Sequence, residues 1–256
     1  MNSTAYTTKV DHIATICARC AAAVEFIMPD QSALQLVLSG DPALFAIVRL
    51  SLYVSLSAVV LAALIGIPLG AWIALTRFPG RQGVIVLLNA LMGLPPVVVG
   101  LAVYLLLSRS GPLGSFGLLF TPGAMVVAQT VLVTPIIAAL TRQTIEDLWI
   151  EYRDELTAMN LGPPGRVAAL IWDARFSLVT ALLAGFGRAA AEVGAIIIVG
   201  GNIEGFSRTM TTAIALETSK GDLPLAIGLG MVLIAIVIAV NALAWTARRA
   251  GERMAG

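Results

Sequence analysis

Several stretches of the sequence are free of charged residues and longer than a lipid bilayer is thick. Residues 50–76 contain no Asp, Glu, Lys or Arg, and the same holds for residues 82–108 and 110–141. A helix rises about 1.5 Å per residue, so each stretch exceeds the roughly 30 Å hydrocarbon core. Charged residues make up 12% of the chain, about half of their usual share in a soluble domain. The sequence therefore predicts an integral membrane protein with α-helical spans.

The predicted fold class is all-α, with five transmembrane helices and a polar region between the third and the fourth. Asp41 followed by Pro42 is a typical helix start, and Pro79-Gly80 follows the first span. The region 43–247 is expected to form one transmembrane domain, after an N-terminal tail of residues 1–40 and before a cytoplasmic tail of residues 248–256. The five spans are predicted at about 43–76, 82–107, 122–141, 176–201 and 223–247.

The N-terminal residues 1–40 lack the basic start and apolar centre of a cleavable signal peptide. We expect a polar tail with one or two short amphipathic helices near the membrane surface, and an extra span there is the alternative. Cys17 and Cys20 form a CxxC pair. Helix packing is the expected role of this pair rather than redox or metal chemistry, because His12 is the only histidine.

Basic residues are distributed unequally between the two sides that five spans define. With a cytoplasmic C-terminus, nine basic residues lie on the cytoplasmic side and six outside, which agrees with the positive-inside rule. The nine are Arg77, Arg81, Arg142, Arg153, Arg166, Arg175, Arg248, Arg249 and Arg253.

Ten charged residues fall within the polar region 142–175. We expect an ordered cytoplasmic loop, with one amphipathic helix ending at Gly162-Pro163-Pro164-Gly165 and a second short helix beginning at Arg166. A loop of this length is usually functional. We interpret it as a docking element for a soluble partner, and the alternative is a surface helix that orients the neighbouring spans.

Span four contains two charged residues, Arg188 and Glu192, one helical turn apart. On a continuous helix they would share a face with the small residues Ala181, Ala184 and Gly185. Ionisable residues inside spans usually face the protein interior or water and pair with each other. Two interpretations stay open: a pair beside the translocation path or its gate, or a neutralised pair that braces a dimer interface.

Span two contains Pro95-Pro96 at its centre. Proline lacks a backbone donor, so the carbonyls it leaves free need neighbouring groups or a water-filled path. We expect this dipeptide to line the path, and a simple kink that improves packing is the alternative.

The chain resembles the permease subunit of type I ABC importers. Residues 87–122 and 185–222 are similar to the molybdate and tungstate branch, closest to tungstate-type permeases, and the likeness covers about residues 32–247. In that family a short cytoplasmic helix with an E-A-A-x-x-x-G motif docks onto the ATPase subunit. The corresponding coupling residues here are Asp154, Glu155, Leu156, Thr157, Ala158, Met159, Asn160, Leu161 and Gly162.

The resemblance implies a homodimer in a bacterial or archaeal inner membrane that imports an oxyanion. The branch of the family implies that this oxyanion is tungstate or molybdate. It also implies two ATPase subunits that bind ATP and Mg, and an extracytoplasmic oxyanion-binding protein. The chain itself would not be an enzyme, and it contains no G-x-x-x-x-G-K-[ST] loop.

Three other classes of protein are alternatives to an oxyanion permease: an ABC permease for another small solute, a secondary transporter or channel, and a membrane enzyme. Polar residues inside the spans are scarce, with Asn89, Gln129 and Asn241 besides the charged pair and hydroxyls. This scarcity argues against an intramembrane substrate site of its own and against catalysis.

Overall fold

The computed structural model describes residues 42–255, and all regular elements in this range are helices. The expectations for residues 1–40, including Cys17 and Cys20, lie outside the described residues. The α-helices are α1 (Pro42–Leu75), α2 (Arg81–Met92), α3 (Pro96–Leu107), α4 (Pro122–Ala158), α5 (Pro163–Asp173), α6 (Arg175–Ala190), α7 (Gly194–Gly200), α8 (Met210–Lys220) and α9 (Leu223–Ala255), with a 3₁₀ turn at Gly114–Phe116.

The described helices include three that are long and apolar enough to cross a membrane alone, in α1, α4 and α9. Two further pairs pass the same test together but are bent, by 100° between α2 and α3 and by 74° between α5 and α6. The protein is therefore an all-α, multi-pass membrane protein, as predicted. The number of spans lies between three and five.

Helices α1 and α4 form the most extensive pairing and the centre of the molecule. Small residues let their backbones approach closely. A Cβ atom on Gly70 would lie 2.5 Å from the carbonyl oxygen of Ala138, and one on Gly66 would lie 3.1 Å from that of Thr134. Glycine is therefore required at these contacts, and Ile137 is fully buried beside them.

Helix α4 runs 37 residues without interruption, from Pro122 to Ala158. The amphipathic helix expected within the region 142–161 is present, but it continues the helix of span three, so the expected separation between span and loop at residue 142 is wrong. These residues contain neither Gly nor Pro. Ile145 and Leu156 are buried in a cluster with Ala71 of α1 and Leu170 of α5, so tertiary packing supports the extension.

Span four is broken, whereas one helix over residues 176–201 was expected. Helix α6 ends at Ala190, and α7 begins at Gly194. The expected single face of small residues is also divided. Gly185 packs inward, where a Cβ atom would lie 2.8 Å from Cγ1 of Val133 in α4, whereas Ala184 lies on the exposed side of α6.

Specific contacts show which segments share an end of the molecule. Arg81 forms an ion pair of 2.9 Å with Glu146, which places the α1–α2 turn beside α4. At the opposite end, the backbone N–H of Phe120 donates to the carbonyl of Val199 at 2.9 Å. The segments 76–81 and 142–175 therefore lie at one end, and the segment before α4 lies with the end of α7 at the other.

Candidate translocation and coupling sites

The break in span four is capped by one of the two charged residues predicted there. Residues Ala191–Val193 connect α6 to α7. Oε1 of Glu192 accepts a hydrogen bond of 3.1 Å from the backbone N–H of Ala195, in the first turn of α7. The first N–H groups of a helix have no partner within it, so the carboxylate satisfies one of them. Glu192 is 5% exposed and thus lies inside the protein.

Two side chains from other helices complete the contacts at this break. Nε2 of Gln129 in α4 donates to the carbonyl of Ala189 at 2.9 Å. Oγ1 of Thr211 in α8 donates to the carbonyl of Glu192 at 2.9 Å. Both side chains are buried. Sequence reasoning did not assign them to a site, although a single amide in a charge-free span was a signal for Gln129.

Arg188 and Glu192 do not form a tight ion pair. Their closest nitrogen and oxygen atoms are 4.0 Å apart, which is beyond hydrogen-bond distance. The side chain of Arg188 is 37% exposed and that of Glu192 is 6% exposed. The carboxylate thus serves the backbone of the break, whereas the guanidinium lies toward the outside of the chain.

Arg188 belongs to an exposed strip of small or polar residues along α6. The strip is defined here by Ser177, Thr180, Ala184, Arg188 and Ala191, which recur at helical spacing. A lipid-facing surface normally carries large apolar side chains, as α9 does with Ile234 and Ile238. The strip is therefore suited to a water-filled path or to a neighbouring protein.

The two proline residues of span two lie at the start of a new helix. The carbonyl of Pro95 accepts from the N–H groups of Val98 and Val99, and Pro96 is the first residue of α3. A proline at this position costs little, because the missing N–H would have no helical partner. The predicted span two therefore consists of two helices that meet at an angle of 100°, which is a larger change of direction than a simple kink.

The breaks of spans two and four are in contact. A Cβ atom on Gly194 of α7 would lie 2.8 Å from Cγ2 of Val97. A Cβ atom on Gly100 of α3 would lie 2.7 Å from Cα of Ala195. The structure thus brings together the residues that follow Pro95-Pro96 and those that follow Glu192.

The predicted coupling residues lie at the opposite end, in the last turn of α4 and the turn after it. Helix α4 ends at Ala158, Asn160 has a φ of 52°, and α5 begins at Pro163. Leu156 is 8% exposed and packs inward, so it cannot contact a partner, whereas Met159 is 68% exposed. Asp154 and Glu155 are exposed as well.

The separate short helix at this end is α5. The sequence predicted a second short helix from Arg166, and in the structure it begins three residues earlier, at Pro163. Nε of Arg166 donates to the carbonyl of Leu161 at 2.8 Å, and its guanidinium carbon lies 5.8 Å from the ring centroid of Trp149. These contacts attach α5 to α4. Between the two helices lies a groove of about 260 Å³, with Glu155 and Asp173 among its lining residues.

Two interrupted helical segments contact each other, and a groove lined in part by two acidic side chains lies at the opposite end. The arrangement is that of an α-helical, multi-pass membrane protein whose spans include broken helices. Within residues 42–255, no group of three or more His, Cys, Asp or Glu residues could hold a metal ion.

Comparison with known proteins identifies the family, although no protein-family model matches the chain. A probable anion ABC transporter permease protein of Haloferax volcanii is 43% identical over 205 residues, 78% of this chain and 88% of the relative. The tungstate uptake system permease protein TupB of Peptoclostridium acidaminophilum is 39% identical, over 84% of this chain and 95% of its own length. That of Campylobacter jejuni is 37% identical, over 82% and 88%. The chain belongs to the tungstate and molybdate branch of ABC transporter permeases.

Proposed function

We propose that the chain is the pore subunit of an ATP-driven importer for tungstate. The observation that carries this proposal is the similarity to two tungstate uptake permeases along more than four fifths of the chain. Molybdate is the second substrate to consider, because a molybdenum transport permease of Azotobacter vinelandii is 27% identical over 66% of the chain. The chain is a permease, and ATP hydrolysis belongs to a separate subunit that binds ATP and Mg.

The translocation path runs along the exposed strip of α6, between two copies of the chain. Arg188 supports this assignment because its guanidinium is partly exposed and lies 4.0 Å from the Glu192 carboxylate, which is beyond hydrogen-bond distance. A guanidinium offers several N–H donors to the oxygens of a tetrahedral anion. Pro95 and Pro96 belong to the same region, since α3 begins there and packs on α7.

The ATPase subunits dock at the end formed by the last turn of α4 and by α5. Asp154, Glu155 and Asp173 offer exposed or groove-lining carboxylates that could pair with basic residues of a partner, and Arg153, Arg166 and Arg175 lie in the same segment. Helix α5 is the separate element that a partner could hold, so the docking surface extends beyond residues 154–162. ATPase docking requires this end to be cytoplasmic, and with five spans the C-terminus is proposed to lie in the cytoplasm of a bacterial or archaeal cell.

The test is reconstitution of the permease with its ATPase and its extracytoplasmic oxyanion-binding protein in proteoliposomes. We expect tungstate uptake that requires ATP and is inhibited by vanadate. Uptake without ATP would favour a secondary transporter or channel instead. Equal uptake of sulfate would point to an ABC permease for another anion.

A double variant tests the path. Arg188→Gln combined with Glu192→Gln removes both charges and keeps an amide oxygen that can cap α7. We expect tungstate uptake to fall at least about ten-fold, because a desolvated anion loses a charge-assisted hydrogen bond. Wild-type uptake by this variant would leave Arg188 with a bracing role only.

A further inference from the structure

Most of the residues at the break between α6 and α7 favour helix. Residues 189–193 read Ala-Ala-Ala-Glu-Val, and alanine and glutamate favour helix. This segment contains neither proline nor a residue with positive φ, and its local interruption signal is the Glu192 side chain that caps the N–H of Ala195. Tertiary contacts therefore support this cap in keeping the helix interrupted.

Gln129 and Thr211 supply these contacts from two separate helices. Backbone carbonyls released inside a membrane protein need partners, because lipid offers none. The Gln129 amide donates to the carbonyl of Ala189, which also accepts from the backbone N–H of Glu192 at 3.2 Å. The Thr211 hydroxyl donates to the carbonyl of Glu192. We call these two side chains the polar clamp.

The position of the clamp suggests that it can change partners. Ala189 presents a carbonyl, which only accepts, so Nε2 of Gln129 must face it and Oε1 points elsewhere. Oε1 is buried without a partner among the described residues, which carries a cost in free energy. Ser55 and Thr209 line the same cavity of about 20 Å³ as Gln129, and both carry hydroxyl groups that could donate to Oε1 after a small movement.

The clamp also lies at the junction of α6 and α7, where a change in the angle between these two helices would affect the proposed transport path. Helix α7 packs on α3 beyond the break, and Arg188 precedes the break by one turn of α6. A change at residues 191–193 would therefore move α7 and α3 relative to the strip of α6.

We propose that Gln129 and Thr211 are positioning residues that hold the break in span four as the joint at which α7 and α3 turn during transport. The inference rests on the proposed function, since it concerns the coupling of transport to ATP. The clamp keeps the path closed except when the ATPase subunits drive it open. Weakening the clamp uncouples hydrolysis from uptake.

The experiment measures tungstate imported per ATP hydrolysed by the reconstituted complex. Thr211→Val and Gln129→Met remove the hydrogen bonds at nearly constant volume. Thr211→Ser keeps the hydroxyl. Thr134→Val is the matched control, because the Thr134 hydroxyl bonds only within α4, to the carbonyl of Thr130 at 2.7 Å.

We expect the ratio of tungstate to ATP to fall about ten-fold in Thr211→Val, which leaves the carbonyl of Glu192 without its side-chain donor. Gln129→Met should lower the ratio less, because the carbonyl of Ala189 keeps the backbone N–H of Glu192 as a donor at 3.2 Å. Thr211→Ser and Thr134→Val should keep the wild-type ratio. A loss of folded protein lowers uptake and hydrolysis together and leaves the ratio unchanged, so the ratio reports on coupling.

A wild-type ratio in both clamp variants would overturn the proposal, as would an equal fall in Thr134→Val. Failure of the proposed function gives a different result, in which the wild-type complex itself shows no ATP-dependent tungstate uptake.

Discussion

Two of the interruptions between helices in the second half of the chain, after α4 and after α6, are held in opposite ways. The turn between α4 and α5 is exposed, and its conformation follows from local residues: Asn160 has a positive φ of 52°, and Pro163 starts the next helix. The break between α6 and α7 is held by buried side chains of α4 and α8, together with the buried Glu192 of the break itself. The first is determined by its own sequence, and the second also by its surroundings.

This difference indicates what each interruption can do. A turn held by its own residues keeps its shape when neighbouring helices move, which suits a docking element. A break held by contacts from other helices changes when those helices move, which suits a gate. The following predictions test this distinction from the largest expected effect to the smallest.

Gly100→Ala should have the largest effect on transport. The added Cβ would lie 2.7 Å from the backbone Cα of Ala195, so α3 and α7 must separate. Overpacking of this kind costs about 1–3 kcal/mol, and we expect tungstate uptake in proteoliposomes to be nearly abolished. The control is Gly83→Ala in α2, where no atom lies within 4 Å of the added Cβ. Equal uptake by the two variants would show that the α3–α7 contact is unimportant.

Two variants of Glu192 distinguish the capping role of its side chain from the role of its negative charge. Glu192→Ala removes the acceptor for the Ala195 N–H, and loss of such a cap costs about 0.5–2 kcal/mol. Glu192→Gln keeps an acceptor oxygen and should retain most of the uptake. If Glu192→Gln is as impaired as Glu192→Ala, the negative charge itself is required and the ion-pair interpretation returns.

Charge reversal at the docking end should have a smaller effect. Asp154→Lys combined with Glu155→Lys reverses two exposed charges, and we expect the affinity for the ATPase subunit to fall about five-fold at low salt. The measurement is the amount of ATPase that co-purifies with the permease as salt is raised. Glu204→Lys, an exposed charge reversal outside the docking end, is the control. The same loss with Glu204→Lys would contradict the placement of the docking surface.

Asn160 should show the smallest effect. Asn160→Gly removes the side chain from a left-handed conformation that glycine adopts freely, so we expect a change in stability of no more than about 0.5 kcal/mol. Asn160→Val should destabilise by about 1 kcal/mol or more, since a β-branched residue fits this conformation poorly. Apparent Tm values of the purified permease compare the two. Equal Tm values would mean that the turn is not determined locally.

The contrast also explains what could be predicted from the sequence. The charge-free stretches predicted the membrane fold, and Gly162-Pro163-Pro164 predicted the end of a helix near Ala158. A helix was predicted beyond residue 141, but its continuity with span three was missed, because the charged residues from Arg142 onward suggested the start of a separate loop. Ile145 and Leu156 keep a buried helical face in this extension. The break after Ala190 could not be predicted, since its partners Gln129 and Thr211 are far away in the chain.

The uninterrupted course of α4 has a mechanical consequence. Gln129 meets the break near one end of this helix, and Ala158 lies beside the docking groove at the other. At about 1.5 Å per residue the two are about 44 Å apart along the helix, with Pro135 between them. Over such a length, a tilt of about 5° at one end displaces the other end by about 4 Å. On the proposed function, this single helix would link movement at the docking end to movement at the break after α6.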